Sequence, residues 1–175
     1  MNILRIALFA LIGIGITAPA WAEEPHHKPY IGSKAFQRMT QMVGHWQVTM
    51  DMGKGPQTMK ASYKLTSGGS ALVETLFEGT PMEMVNIYHD NSKGTLHMIH
   101  FCAGHNQPVM SLVRAQDKTL SFDLTQDADI DAAHEGHMHS LLVSFDNSDH
   151  VTQQWLDFKN GKKDHITQIK YQRVK

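Results

Sequence analysis

A single cysteine, Cys102, among 175 residues excludes an internal disulfide framework. The fold has to stand on its core, and Cys102 is left as a buried thiol, a ligand or a reactive group. Charge of one sign is also lacking. Sixteen Lys and Arg face 17 Asp and Glu, so nothing pulls the chain toward nucleic acid or anionic lipid. There is no Gly-x-Ser-x-Gly, Walker loop, Rossmann glycine set or His-Glu-x-x-His, which removes the commoner hydrolase, nucleotide and zinc-protease signatures. No apolar run is long enough to cross a bilayer comfortably, which takes about 20 residues.

What is present begins with a short positive stretch, Met1 to Arg5, an apolar run over residues 6–16, and Pro19 before Ala20-Trp21-Ala22. This reads as a signal peptide, 1–22, cleaved after Ala22, and implies a periplasmic or secreted protein with no stable membrane span after cleavage. Removing it takes away one base, Arg5, and leaves a formal charge of −2. Residues 23–32 read as a flexible leader carrying His26 and His27, and residues 33–175 as one domain. All 12 histidines stay with the mature chain, so positive charge rises quickly below about pH 6.5.

Within the domain, Ser33 has the character of an N-cap. Phe36, Met39, Met42 and Val43 fall at helical spacing, predicting one short helix over 33–43 that Gly44 ends. The pattern then changes to period two. Strands are expected at 46–52, 57–66, 71–77, 82–89, 95–102, 109–115, 119–125, 137–145, 151–158 and 165–174. Short turn-rich loops join them, among them the hairpin signal Asn160-Gly161; the loop at 126–136 is longer and acidic. No helical pattern separates the strands, which disfavours a parallel sheet. Such a meander closes into a barrel or splits into a sandwich. The barrel is preferred because closure removes sheet edges. The expected fold is therefore all-β: an up-and-down antiparallel barrel of about ten strands, with the helix at one mouth.

Gly44-His45-Trp46, at the handover from helix to first strand, resembles the Gly-x-Trp of lipocalins. Longer segments add to this: residues 67–77, 83–89, 97–102, Asn106-Gln107-Pro108 and Gly136-His137-Met138-His139. Together they resemble a lipocalin-like, calycin-type family of small uncharacterised exported bacterial proteins, related in shape to nitrobindin-type haem barrels. The resemblance runs from Gly44 to the C-terminus and implies the barrel. Haem ligation of the nitrobindin kind is an analogy of shape, with no residue-by-residue match.

Alternation assigns faces. Glu74 lies between Leu72 and Leu76, and Gln153 between Val151 and Trp155. His100 and Cys102 share a face with Leu96 and Met98, and His137 and His139 share one with Leu141, Val143 and Phe145. Polar groups on apolar faces are costly unless paired or solvated, so a shared wet interior is expected. The candidate ligand pocket is Glu74, Asn86, His100, Cys102, Gln153 and Trp155. Histidines at i and i+2 suit imidazole ligands, so His100, His137, His139 and Glu74 form a candidate set for zinc, another transition metal or haem. A metal-free, hydrogen-bonded polar interior explains the same residues. Met39 and Met42 read as helix core, and Met84 and Met98 as cavity lining. A copper-binding methionine cluster would need tighter local repetition. His89, His105, His134, His150 and His165 read as solvated. Asp127, Asp129, Asp131 and Glu135 lack the central glycine of an EF-hand and read as a solvated loop.

Three functions stay open. The first is an exported barrel holding a small apolar or amphipathic ligand, with or without metal or haem. The second is an enzyme using Glu74 and His100 as acid and base, or Cys102 with His100 as a thiolate pair. The third is a structural or partner-binding module, which would need an open sheet edge or an exposed apolar patch.

Overall fold

The computed structural model describes residues 28–51, 53–126 and 130–175. The expected signal peptide, His26 and His27, and the acidic pair Asp127 and Asp129 lie outside the described residues.

One α-helix, α1 (Lys34–Met39), runs into a 3₁₀ turn, Thr40–Met42. Ten strands follow: β1 (Gly44–Asp51), β2 (Pro56–Thr66), β3 (Ala71–Leu76), β4 (Met84–Asp90), β5 (Leu96–Phe101), β6 (Val109–Gln116), β7 (Thr119–Leu124), β8 (His137–Phe145), β9 (His150–Lys159) and β10 (Lys162–Arg173). Every strand pairs antiparallel with its sequence neighbours, and β1 pairs with both β2 and β10, so the sheet closes as an up-and-down barrel. Closure leaves no open edge among the described strands, the feature an edge-pairing module would need. None of the described helices is long and apolar enough to cross a membrane.

The helix is short because its own hydrogen bonds barely sustain it; tertiary contacts hold it. The Ser33 hydroxyl accepts the Phe36 N–H at 3.1 Å and donates to Asp90 at the end of β4 at 2.8 Å. Tyr30 donates to the same carboxylate and meets Phe36 edge-on. Phe36, Met39 and Met42 are buried in the barrel core, so the helix closes the end at which β1 begins and β4 finishes.

The seam beside it is pinned by Arg173, the last residue of β10. Its guanidinium donates to the carbonyls of Gln41 at 2.6 Å and Val43 at 2.9 Å and lies 4.2 Å above the Trp46 ring. Trp46 in turn donates from Nε1 to the Met42 carbonyl at 2.7 Å. Gly44 sits between them at φ 129°, a backbone conformation that L side chains rarely adopt. At the opposite end, Asn160 (φ 51°) and Gly161 (φ 67°) make the two-residue turn joining β9 to β10, as their sequence predicts.

Arg173→Lys should lower stability by about 1–2 kcal/mol, because an ammonium reproduces neither the paired carbonyl bonds nor the stacking. Urea denaturation checks this; an unchanged midpoint would show that the clamp is idle.

Candidate ligand cavity and its buried polar row

Among the described residues, the polar side chains buried inside the barrel form one row. Directly opposed residues carry it across four strands: Tyr63 (β2) faces Glu74 (β3), Glu74 faces Asn86 (β4), and Asn86 faces His100 (β5). All four are buried. Gln153 and Trp155 (β9) and Tyr171 (β10) approach from across the barrel, and Tyr88 adds a further hydroxyl from β4.

Glu74 is the centre. One carboxyl oxygen lies 2.7 Å from the Asn86 amide nitrogen and 3.2 Å from the Tyr88 hydroxyl, and the other lies 2.7 Å from the Tyr171 hydroxyl. Complete burial pushes its pKa up, against the opposing pull of hydrogen bonds from Tyr63, Asn86, Tyr171 and Tyr88. Geometry points the same way. Tyr171 has one hydroxyl proton but sits between Glu74 and the Gln153 carbonyl, which is 3.0 Å away. That carbonyl also accepts from Trp155 Nε1 at 2.8 Å, while the Gln153 amide nitrogen donates to Tyr63. A proton on Glu74 lets both Tyr171 contacts be hydrogen bonds.

The Asn86 amide nitrogen faces Glu74, so its carbonyl faces His100, 2.6 Å from Nδ1. Nδ1 must therefore carry the ring proton, and Nε2 presents a lone pair. Nε2 is buried and has no hydrogen-bond partner. Burial pushes the pKa of His100 down to about 4, so the ring is neutral at pH 7.

His100 lines a cavity of about 570 Å³ at the end of the barrel away from the helix. Leu76, Phe77, Met84, Met138 and Ile169 supply much of its apolar wall. Trp155 lies with its ring 4.8 Å from the imidazole, and half-buried Cys102 lines the cavity beyond the end of β5. The expected pocket residues thus divide. His100, Cys102 and Trp155 line the cavity; Glu74, Asn86 and Gln153 are sealed behind it. Met84 lines it as expected, whereas Met98 is core.

Two expectations are corrected. His137 and His139 do not join His100 and Glu74. A bulge between Met138 and Ser140 inserts one residue into β8, and one inserted residue exchanges the faces of everything before it. Met138 takes the inward place, while His139 stacks on Phe158 with ring centres 3.7 Å apart and its Nδ1 3.1 Å from His137 Nε2. Burial and the neighbouring His137 hold the His139 pKa down. Among the described residues, the His, Cys, Asp and Glu groups close enough to share an ion are instead Asp157, Asp164 and His165 near the cavity rim, with ligand atoms within 4.8 Å of one another. His165, expected to be merely solvated, also lines the cavity. The second correction concerns acid–base pairing: Glu74 and His100 are linked only through Asn86, and Glu74 is fully buried.

Tyr63, Tyr88 and Tyr171 are the residues the sequence reading missed. Tyr63 alternates with Ala61, Tyr88 follows Asn86 by two and Tyr171 follows Ile169 by two, so period two would have placed them inside. Burial above all, and then the Glu74 carboxyl beside them, pushes all three hydroxyl pKa values well above the usual range.

No family model matches the chain, and no curated protein matches it. Among solved structures, it is similar to a DUF3598-family protein of unknown function from Nostoc punctiforme, at 12% identity with a TM-score of 0.38 over 78% of this chain. The chain spans about half (48%) of that protein's length. These comparisons do not add support for the lipocalin-like family; the closed ten-strand barrel stands on its own geometry.

Unfolded, His100 takes a proton near pH 6.5; folded, only near 4. Between those values the unfolded chain binds more protons. The stabilisation is therefore complete above pH 6.5 and lost as pH falls toward 4, on the order of 3 kcal/mol in all. Glu74, with its pKa raised, acts oppositely: the stability it contributes falls as pH rises above 4.5. Denaturation midpoints from pH 4 to 7 should fall less steeply toward acid in His100→Gln than in the unsubstituted chain; parallel curves would mean that His100 is not buried neutral. Glu74→Gln should stay within about 1 kcal/mol of the parent, whereas Glu74→Ala, which strands several buried donors, should cost about 3 kcal/mol or more. Equal losses in the two variants would contradict a protonated Glu74.

Proposed function

We propose that this chain is an exported small-ligand-binding barrel that takes an apolar or amphipathic molecule into the cavity between His100 and the mouth opposite the helix. The observation that carries the reading is the cavity itself. Its volume of about 570 Å³ falls within the range of small-molecule sites, roughly 300–1,000 Å³. Its walls are mainly apolar, with one unpartnered imidazole nitrogen at a wall residue, the pattern of a site that takes affinity from burial and orientation from a polar contact. Export rests on the signal-peptide pattern at residues 1–22.

A resident zinc at His100 fits less well. Structural zinc takes four ligands and catalytic zinc about three from the protein, and the bulge at His139 keeps His137 and His139 away from His100. Haem iron needs one imidazole, which His100 would supply through Nε2. The described lining residues, however, include no Lys or Arg to meet the propionates. An enzyme acting through a Glu74–His100 pair is disfavoured because Glu74 has no exposure.

Native mass spectrometry of untagged protein, read with elemental analysis and an absorption spectrum, tests the reading. A bound organic species of a few hundred daltons is expected, and Met84→Trp, which sets a bulkier side chain in the cavity wall, should weaken its retention while leaving the circular dichroism spectrum intact. Retention undiminished in Met84→Trp would place the ligand elsewhere, and a haem spectrum would replace this reading.

A further inference from the structure

The polar row does more than fill space: it fixes which kind of hydrogen-bonding group the cavity accepts. Glu74 orients the Asn86 amide, Asn86 takes the Nδ1 proton, and the imidazole is left with an acceptor at Nε2. A histidine free to switch tautomer would offer either a donor or an acceptor; this one is committed. An orphaned buried acceptor costs about 1–3 kcal/mol, a cost that a suitable ligand removes on binding. The rest of the lining sets the charge. Among the described residues it contains no Lys or Arg, while Asp51 and His165 are its ionisable members besides His100 and Cys102. A carboxylate would meet a lone pair at His100 and no cation to neutralise it, in a site where an unpaired charge is expensive. Resting on the small-ligand reading above, we infer that the cavity selects neutral amphipathic molecules bearing a hydrogen-bond donor, an alcohol or phenol hydroxyl or an amide N–H, and rejects the corresponding carboxylate anions. Nε2 is itself covered at the cavity wall, so the donor group reaches it by a small displacement of that wall, and the apolar body lies against Trp155, Phe77 and the methionines.

Three probes of matched chain length separate the possibilities on the purified, delipidated protein: 1-decanol, its methyl ether and decanoate, titrated calorimetrically at pH 7. The alcohol should bind at least about tenfold more tightly than either of the others, and His100→Phe should reduce its affinity to that of the ether. An ether or a carboxylate that binds as well as the alcohol overturns the donor inference while leaving the small-ligand reading in place. If none of the three binds up to its solubility limit, the donor inference falls, and native mass spectrometry of the untagged protein decides the small-ligand reading separately. A ¹⁵N spectrum of histidine-labelled protein guards against a misfolded variant: the unsubstituted chain should show His100 protonated at Nδ1, and protonation at Nε2 overturns the inference without any substitution.

Discussion

A buried carboxyl group without a cation organises this barrel. Glu74 is tied to Asn86 and Tyr88 on β4 and to Tyr171 on β10. Through Asn86 the network reaches His100 on β5, and through Tyr171 it reaches Gln153 on β9, which bonds Tyr63 on β2. Six of the ten strands therefore share one connected set of hydrogen bonds. Removing a carboxyl from water is costly, and the arrangement is tolerable because each oxygen has partners and the burial that raises the pKa favours the uncharged form. The constraint is directional. A slip of one residue in β3, β4 or β5 would turn the row outward and put apolar groups in its place.

The same network divides the barrel into two unlike ends. On one side of it, Phe36, Met39 and Met42 of the helical segment pack into the core, and Arg173, Trp46 and the Met42 carbonyl lock the closing seam. On the other side the interior opens into the cavity, with His100 in its wall. His100 belongs to both: its Nδ1 completes the network, and the ring carrying its unpartnered Nε2 borders the space. A residue that is structural on one side and borders the cavity on the other is the place where ligand chemistry and fold stability meet.

Much of this was legible by alternation alone. Leu72, Glu74 and Leu76, then Leu96, Met98 and His100, then Val151, Gln153 and Trp155 all face inward as period two requires. Strand limits read from turn residues agree with the observed ones to within about three residues, since Gly, Asn, Asp and Pro punctuate strands for steric reasons that are local. The bulge in β8 was not legible. Its effect is to shift parity, and nothing in Gly136-His137-Met138-His139 marks which residue is the extra one. Parity counted from Leu141 therefore gave the wrong face to His137 and His139 and hid Met138. Asp157 and His165 were missed as neighbours for a related reason: an irregularity between Lys163 and Ile166 in β10 brings them to one place.

The sequence by itself determined the class of structure and most of the inward-facing set, because strand periodicity and turn chemistry are properties of a few consecutive residues. Only the tertiary structure decided what those inward residues do. The raised pKa of Glu74, the orientation of Asn86 and the lone pair left on His100 each depend on a partner from another strand, Tyr171 lying 97 residues from Glu74. Hydrogen-bond roles inside a barrel are assigned by whichever groups closure brings within about 3 Å. That distance is set by register and bulges acting together, which no local pattern records.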